Sequence, residues 1–228
     1  MNLEPTYFFS LSHYKHKALF ADSRFVWEAL TKIASYLKNY KLGDIEVAVP
    51  FGAFLENSHL ISIGKGTTIE PGCYIKGPCI IGENCSIRHG AYIRGDVVVG
   101  DGCVIGHDTE IKNSVMLDGS HAAHFAYLGD TILGNKVNLG SGTKCANLKL
   151  DNTQVSIFLN GNKVSTGLRK FGAIVGDKSQ FGCNSVSNPG TLVGQNVRVY
   201  PCVNFGGGIP SNSTVRNDAK VLIVPDIN

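Results

Sequence analysis

Long apolar runs, blocks of like charge and paired cysteines are all missing from this chain of 228 residues. No stretch approaches the roughly eighteen apolar residues of a membrane-spanning helix. The opening residues carry charge throughout and lack the apolar centre of a signal peptide, so a cytoplasmic protein without membrane contact is expected. The formal net charge is only +3, and no basic run is interleaved with aromatics, which leaves no indication of nucleic-acid binding. No C-x-x-C pair points to zinc. The cysteines number seven, an odd count that, without a secretion signal, argues for reduced thiols. Helical patterning is scarce, whereas glycine, at 27 residues, is plentiful.

What is present is a period of six. From Ile63 an aliphatic or small residue returns at Ile69, Ile75, Ile81, Ile87, Ile93, Val99, Ile105, Ile111, Leu117 and Ala123. Four positions after the members of this series lies a second small set: Thr67, Cys73, Cys79, Cys85, Ala91, Val97, Cys103, Thr109 and Val115. A six-residue period fits neither a helix nor simple strand alternation, and it is read as a repeat whose units bury their side chains only by stacking. Both sets are expected to point inward, and the four cysteines among them to pack as small hydrophobes. Three short strands and three corners make a triangular coil of about eighteen residues, with glycines such as Gly64 and Gly82 at the corners. The register is expected to break between Ala123 and Leu133. It resumes at Val175, Phe181, Ser187, Val193, Val199 and Phe205, partnered by Ser179, Ser185, Thr191, Val197 and Val203. The fold class is an all-β solenoid, a parallel β-helix.

Residues 1–44 lie outside this period. Val26, Ala29, Leu30, Ile33 and Leu37 recur at helical spacing, which predicts one helix over residues 23–39, started by Asp22 or Ser23 and ended at Gly43. Its expected role is to cover the open end of the solenoid, where unpaired strand edges would otherwise invite aggregation. The β-helix is placed at residues 45–210 and a tail at 211–228. Within the solenoid the hexads vanish between Asn147 and Gly172. Alternation around Asn160 and Gly161 there predicts a hairpin inserted at about 150–168, projecting sideways and returning through Arg169 and Lys170.

Candidate chemistry follows from the coil arithmetic. Lys76, Arg94 and Lys112 each follow an inward aliphatic one coil apart, so they are expected to stack as a ladder of cations. The alternatives are solvated surface charges or an anion site in which arginine grips a phosphate through its planar fork. The segment GSHAAHFAYLGD carries His121, expected inward, and His124, expected outward and therefore the better candidate for a base titrating near neutral pH. H-x-x-H without a third ligand is weak support for a metal, and none is expected. His89 and His107 stack one coil apart as surface decoration.

The run IKNSVMLDGSHAAHFAYLGDTILGNKVNLGSGTKCANLKLDN, followed by TGLRKFGAIVGD, resembles the acetyltransferase domain of the bifunctional N-acetylglucosamine-1-phosphate uridylyltransferases and their archaeal-type sugar-1-phosphate relatives. The resemblance spans roughly residues 50–210 and implies a left-handed β-helix, a homotrimer with sites between subunits, and acetyl-CoA as donor. It implies His124 as catalytic base and Glu110 as its supporting carboxylate. Arg94, Lys112 and Lys170 would hold a sugar phosphate, and Tyr127 and Asn138 would contact the sugar. Ser141, Asn147, Cys183 and Pro201 fall where the family contacts CoA. Two departures accompany the match. The first 44 residues are too short for a nucleotide-binding domain and hold no glycine-rich phosphate loop, so nucleotidyl transfer is expected of a separate protein. On the CoA side, Cys183 and Pro201 stand where small residues are usual, and Leu148 replaces an aromatic.

The expected function is acetyl transfer from acetyl-CoA to the amine of an amino-sugar 1-phosphate, with glucosamine 1-phosphate as the leading acceptor. A backbone amide near Ser141 is the candidate oxyanion donor. Two alternatives stay open: an acyltransferase using another acyl donor or a nucleotide-linked amino sugar, and a non-catalytic trimeric scaffold that binds sugar phosphate.

Overall fold

The computed structural model of the chain describes residues 1–159 and 161–218. Three parallel sheets of eight strands each wind about a common axis in about 9 turns. The first sheet opens with Phe54–Glu56, the second with Ile61–Ile63 and the third with Thr68–Ile69, and the chain visits them in that order on every turn. This is the left-handed parallel β-helix implied by the sequence motifs. Each strand is only two to four residues long, so its stability comes from its neighbours one coil above and below and not from its own length.

The inner core is the predicted one over most of its length. Ile63, Ile75, Ile81, Ile87, Ile93, Val99, Ile105 and Ile111 stack with Cys73, Cys79, Cys85, Ala91, Val97 and Cys103 in a single buried cluster. The four cysteines are buried and unpaired, as is Cys145, whereas Cys183 and Cys202 are exposed free thiols. The second half follows the expected positions, with Val175 above Leu133, Phe181 above Leu139 and Ser187 above Cys145.

The predicted register is wrong between Lys112 and Ala123. Val99 pairs with Met116, not Leu117, and Ile105 with Ala122, not Ala123. One residue is dropped at the corner of Asn113, whose φ of 42° makes a tight left-handed turn. Because side chains alternate between faces, that single omission turns Val115 and Leu117 outward, and Met116 and Ala122 take the interior. His121, expected inside, is therefore half-buried on the outer face. A second residue is dropped at the corner of Asp130, φ 49°, where Leu133 follows Leu128 by five positions inside the expected break, and the coils then continue through Leu139 and Cys145.

The N-terminal segment contains a one-turn helix α1 (Pro5–Phe8) and a longer helix α2 (Glu28–Asn39). Helix α2 starts later than residue 23. Trp27 occupies the N-cap without a side-chain hydrogen bond, and neither Asp22 nor Ser23 caps it. The segment also does not close the end of the solenoid. Phe8, Phe9, Trp27, Leu30 and Ile33 pack on the outer face of the second sheet, against Ile80, Val98, Val115, Ile132, Ile174 and Leu192. Those outward positions are apolar, so the second sheet is buried on both sides and needs a cover along its flank more than the end does.

Polar contacts run along the same flank. Lys15 bridges Glu83 and Asp101, each at 3.0 Å. Asp177 accepts from the Ser10 N–H at 2.8 Å and donates its own N–H to Phe8 O, and Gln195 Nε2 donates to Tyr7 O at 3.0 Å. The inserted hairpin is present as Ser156–Leu159 paired antiparallel with Asn162–Ser165; Asn160, named for the expected turn, lies outside the described residues. Instead of projecting freely, its root docks Val155 and Ile157 into the outer cluster beside Phe171.

His16 lies at 4% exposure under this cover, with Nδ1 2.8 Å from the Tyr36 hydroxyl. Burial lowers its pKa to about 4, with the Asp101 carboxylate opposing the shift and Lys15 adding to it. The unfolded chain therefore binds the extra proton between its ordinary pKa of about 6.5 and about 4. In that window His16 makes folding less favourable as pH falls, by up to roughly 3 kcal/mol at the acid end, and above it the effect vanishes. We predict that His16→Gln flattens the pH dependence of the urea midpoint between pH 4 and 7, whatever constant offset it introduces.

Candidate active site

Most of the candidate site residues suggested by the motifs lie on the first sheet and its two bounding corners. His124 ends the strand His121–His124 of the third sheet, at the corner that leads into the first sheet. The corner is built by backbone hydrogen bonds that climb the solenoid. Phe125 N–H donates to His107 O, Gly142 N–H to His124 O, Asn184 N–H to Ser141 O, and Cys202 N–H to Cys183 O. Register extends the same column, since the residues two after Ala122, Leu139, Phe181 and Val199 are His124, Ser141, Cys183 and Pro201. Three of the four residues carried over to the CoA side thus line up above His124 on one edge.

The imidazole of His124 is exposed and makes no hydrogen bond among the described residues. Its strand neighbour His107 stacks on His89 at 5.6 Å and meets the edge of Phe125 at 5.0 Å. Glu110, proposed as its support, points elsewhere. Its Oε1 lies 2.6 Å from Arg94 Nη1, and no bond to His124 is formed.

On the first sheet two outward columns run side by side. One carries Tyr92, Glu110, Tyr127 and Lys144 in register; the other carries Lys76, Arg94, Lys112 and then Gly129. The cation ladder exists, yet each member has a carboxylate that charge spacing alone did not disclose. Lys76 pairs with Glu56 at 2.8 Å, Arg94 with Glu110 at 2.6 Å, and Lys112 with Asp130 at 2.8 Å. The carboxylate bonds raise the pKa values of Lys76 and Arg94, so both stay charged.

Asp130 is the most buried of these acids, at 4% exposure, and it organises the far corner. It accepts from Lys112 Nζ, from Asn113 Nδ2 at 2.8 Å, and from Asn147 Nδ2. Asn147 is in turn 3.5 Å from the Tyr127 hydroxyl through its Oδ1. Burial, then Glu110 and Asp130, raise the Tyr127 pKa, so the phenol keeps its proton and serves as a donor. Gly129 leaves the space beneath it: a Cβ there would stand 2.6 Å from the Tyr127 hydroxyl and would also strike Asn147. Tyr127, Lys112, Asn147 and Asp130 thus form one polar cluster packed over Gly129.

The inserted excursion leaves and re-enters beside this cluster. Leu148 and Lys170 form an antiparallel bridge, Phe171 N–H donates to Asn147 O at 2.9 Å, and Gly172 N–H donates to Asp130 O. Lys170 is thereby returned to the site from the far side of the hairpin. Asn138 lies apart from these groups, outward on the third sheet between His121 and Gln180. Two features were not singled out from sequence. Asp130 follows Tyr127 by three residues, a spacing that reads as a turn acid until Lys112 is seen beside it. Lys144 donates to the carbonyls of Phe125 at 2.6 Å and Gly142 at 2.9 Å, tying together the corner that carries His124.

Comparison with known proteins bears on the fold and the relatives of the chain. Residues 75–166 match the family described as GMPPB C-terminal domain. A Methanococcus aeolicus protein named bifunctional protein GlmU is 32% identical over 197 residues, covering 86% of this chain and 47% of that protein. A Sulfurisphaera tokodaii protein named bifunctional sugar-1-phosphate nucleotidylyltransferase/acetyltransferase is 39% identical over 88 residues, covering 39% of this chain and 22% of its own length. The chain spans less than half the length of these curated relatives and is similar to their C-terminal part. Among solved structures, a Francisella novicida UDP-N-acetylglucosamine acyltransferase aligns with TM-score 0.54 at 16% identity, over 75% of this chain and 66% of that one, which establishes the shared β-helix. No helix among the described residues is long and apolar enough to cross a membrane.

The Lys112–Asp130 pair is nearly buried, at 18% and 6% side-chain exposure, whereas Lys76–Glu56 is open to water. Removing one partner of a buried pair strands the other, which costs far more than losing a solvated pair. Lys112→Met is expected to lower stability by about 3 kcal/mol in urea unfolding. Lys76→Met is expected to leave the urea midpoint almost unmoved.

Proposed function

We propose that the protein transfers an acetyl group from acetyl-CoA to the amine of an amino sugar phosphorylated at C1, with glucosamine 1-phosphate as the simplest acceptor. One observation carries this reading. The corner column His124, Ser141, Cys183 and Pro201 and the polar cluster of Tyr127, Lys112, Asn147 and Lys170 border the same sheet, so a donor laid along the column and an acceptor against the cluster would meet between His124 and Tyr127.

Lys112, Arg94 and Lys170 supply cationic donors for the phosphate. Arg94 spends one Nη on Glu110 and Lys112 one proton on Asp130, which leaves further N–H groups on each. His124, exposed and uncommitted, takes a proton from the attacking amine as nitrogen adds to the thioester carbonyl. The Ser141 N–H makes no hydrogen bond among the described residues, and it is suited to receive the oxyanion of the tetrahedral intermediate. Collapse then breaks the C–S bond, and the imidazolium returns the proton to the departing thiolate, releasing CoA and the N-acetylated sugar phosphate. Glu110 acts in this scheme through Arg94 and not through His124.

We also read the assembly as a homotrimer. The N-terminal cover occupies the outer face of the second sheet, so that face is closed to a neighbour and the first and third remain for subunit contact. A separate nucleotidyltransferase would complete activation of the sugar.

The test is release of free thiol from acetyl-CoA by the full chain. Turnover with glucosamine 1-phosphate, little with glucosamine, and a loss of about 10²- to 10⁴-fold in His124→Ala are the expected results. A folded protein that gives no thiol release, or one in which His124→Ala retains full activity, would count against the reading.

A further inference from the structure

A general base is usually held in its working orientation by a third group bonded to it. His124 has none among the described residues, since Glu110 is committed to Arg94. Its direction is therefore set by the main chain that carries it, and that main chain is strained. Phe125, the next residue, sits in the left-handed region at φ 51° and is 47% exposed. On the coils below and above, the same corner position is filled by Gly90, Asp108, Gly142 and Asn184, residue types that adopt this conformation more readily than a phenylalanine. A bulky residue persists there only where its surroundings hold it.

Lys144 supplies that hold. It lies one coil above Tyr127 in the first sheet. Its Nζ donates to Phe125 O at 2.6 Å and to Gly142 O at 2.9 Å, the carbonyls that next follow His124 and Ser141 in the chain. His124 O accepts from the Gly142 N–H at 3.0 Å, so both carbonyls flanking the Phe125 Cα are tied to the coil above.

An exposed lysine bonded to nearby carbonyls is often a local surface contact and nothing more. Two features set Lys144 apart. Lys76, Arg94 and Lys112 each pair with a carboxylate, whereas Lys144 makes no ion pair among the described residues and donates only to carbonyls. The two carbonyls it joins also belong to the segments that carry the proposed base and the proposed oxyanion donor, on successive coils.

We propose that Lys144 is a positioning residue: by clamping together the carbonyls after His124 and Ser141, it fixes the imidazole relative to the Ser141 N–H. Lys144 acts through His124 and takes no proton itself. This assignment rests on the acetyl-transfer reading above for the roles of His124 and Ser141.

Steady-state kinetics of the full chain with acetyl-CoA and glucosamine 1-phosphate test it, on Lys144→Met, Lys144→Arg, His124→Ala and the double variant Lys144→Met/His124→Ala. Displacing a reacting group by about 1 Å costs on the order of 10²-fold, so Lys144→Met is expected to lower kcat roughly 30- to 100-fold with both KM values within about twofold. Lys144→Arg, whose fork also reaches two carbonyls, should recover most of that loss. In the His124→Ala background Lys144→Met should cost no more than about threefold, because the group it places is gone. Losses that multiply in the double variant, a loss confined to KM, or an unchanged kcat in Lys144→Met would each overturn the proposal. Should Lys144→Met lose its urea transition, Lys144→Gln takes its place with the same expectations, and failure of both to fold marks a purely structural lysine. An impaired His124→Ala beside an unimpaired Lys144→Met removes this assignment alone. If the unmodified chain gives no turnover, or His124→Ala retains it in full, the acetyl-transfer reading falls and this assignment with it.

Discussion

Hydrogen bonding between successive coils is the constraint on which everything else in this molecule depends. No strand is long enough to persist alone, so each must sit one strand spacing above its predecessor with its backbone groups paired. That requirement fixes the outside as firmly as the inside. Any outward side chain has the same neighbours above and below for as long as the coil length holds, and chemistry on such a surface is arranged in columns. The candidate site consists of three of them: a corner that begins at His124, a column of rings with Glu110 and Lys144, and a column of cations ending at Gly129.

Columns also explain how the site tolerates interruption. The chain leaves the solenoid after Asn147 and returns at Lys170, yet the backbone bonds from Phe171 to Asn147 and from Gly172 to Asp130 close the coil as though nothing had intervened. The excursion can vary in length without disturbing the cluster at Asp130, provided its two ends meet. Its one contribution to the site is the cation at its return. Asp130 does the complementary work from within, gathering Lys112, Asn113 and Asn147 at a corner where the backbone turns.

Most of the inner core was legible because a six-residue period has no competing explanation. The slip at Met116 was not, since Met116 and Leu117 are both apolar and either could fill the interior; only the pairing with Val99 distinguishes them. His121 was misplaced for the same reason. The candidate residues came from the motifs that carry the resemblance; the structure joins Tyr127, Lys112 and Asn147 in one cluster with Lys170 beside it, sets His124 at the corner before that strand and leaves Asn138 on the third sheet. Ion pairing was largely hidden. Glu56 reaches Lys76 across a coil of twenty residues, which eighteen-residue arithmetic does not find, and Asp130 sits one place beyond Gly129, the residue in register with Lys112. The N-terminal helix was recognised by its period, but its destination was not. Nothing local announces that Ile80, Val98 and Ile174 form an apolar outer face until the strands are laid side by side.

That outer face changes what kind of folding unit this is. An uncovered solenoid behaves as a one-dimensional array in which each turn feels only the next, and loss of order can creep in from either end. Here one segment of the chain touches Glu83 and Asp101 through Lys15, Asp177 through Ser10, and Gln195 through Tyr7. Turns far apart along the axis are therefore bound to a common strap, and an end cannot fray without pulling on contacts that also hold the middle. The repeat is modular in its construction, but the strap gives it the all-or-none character of a globular domain.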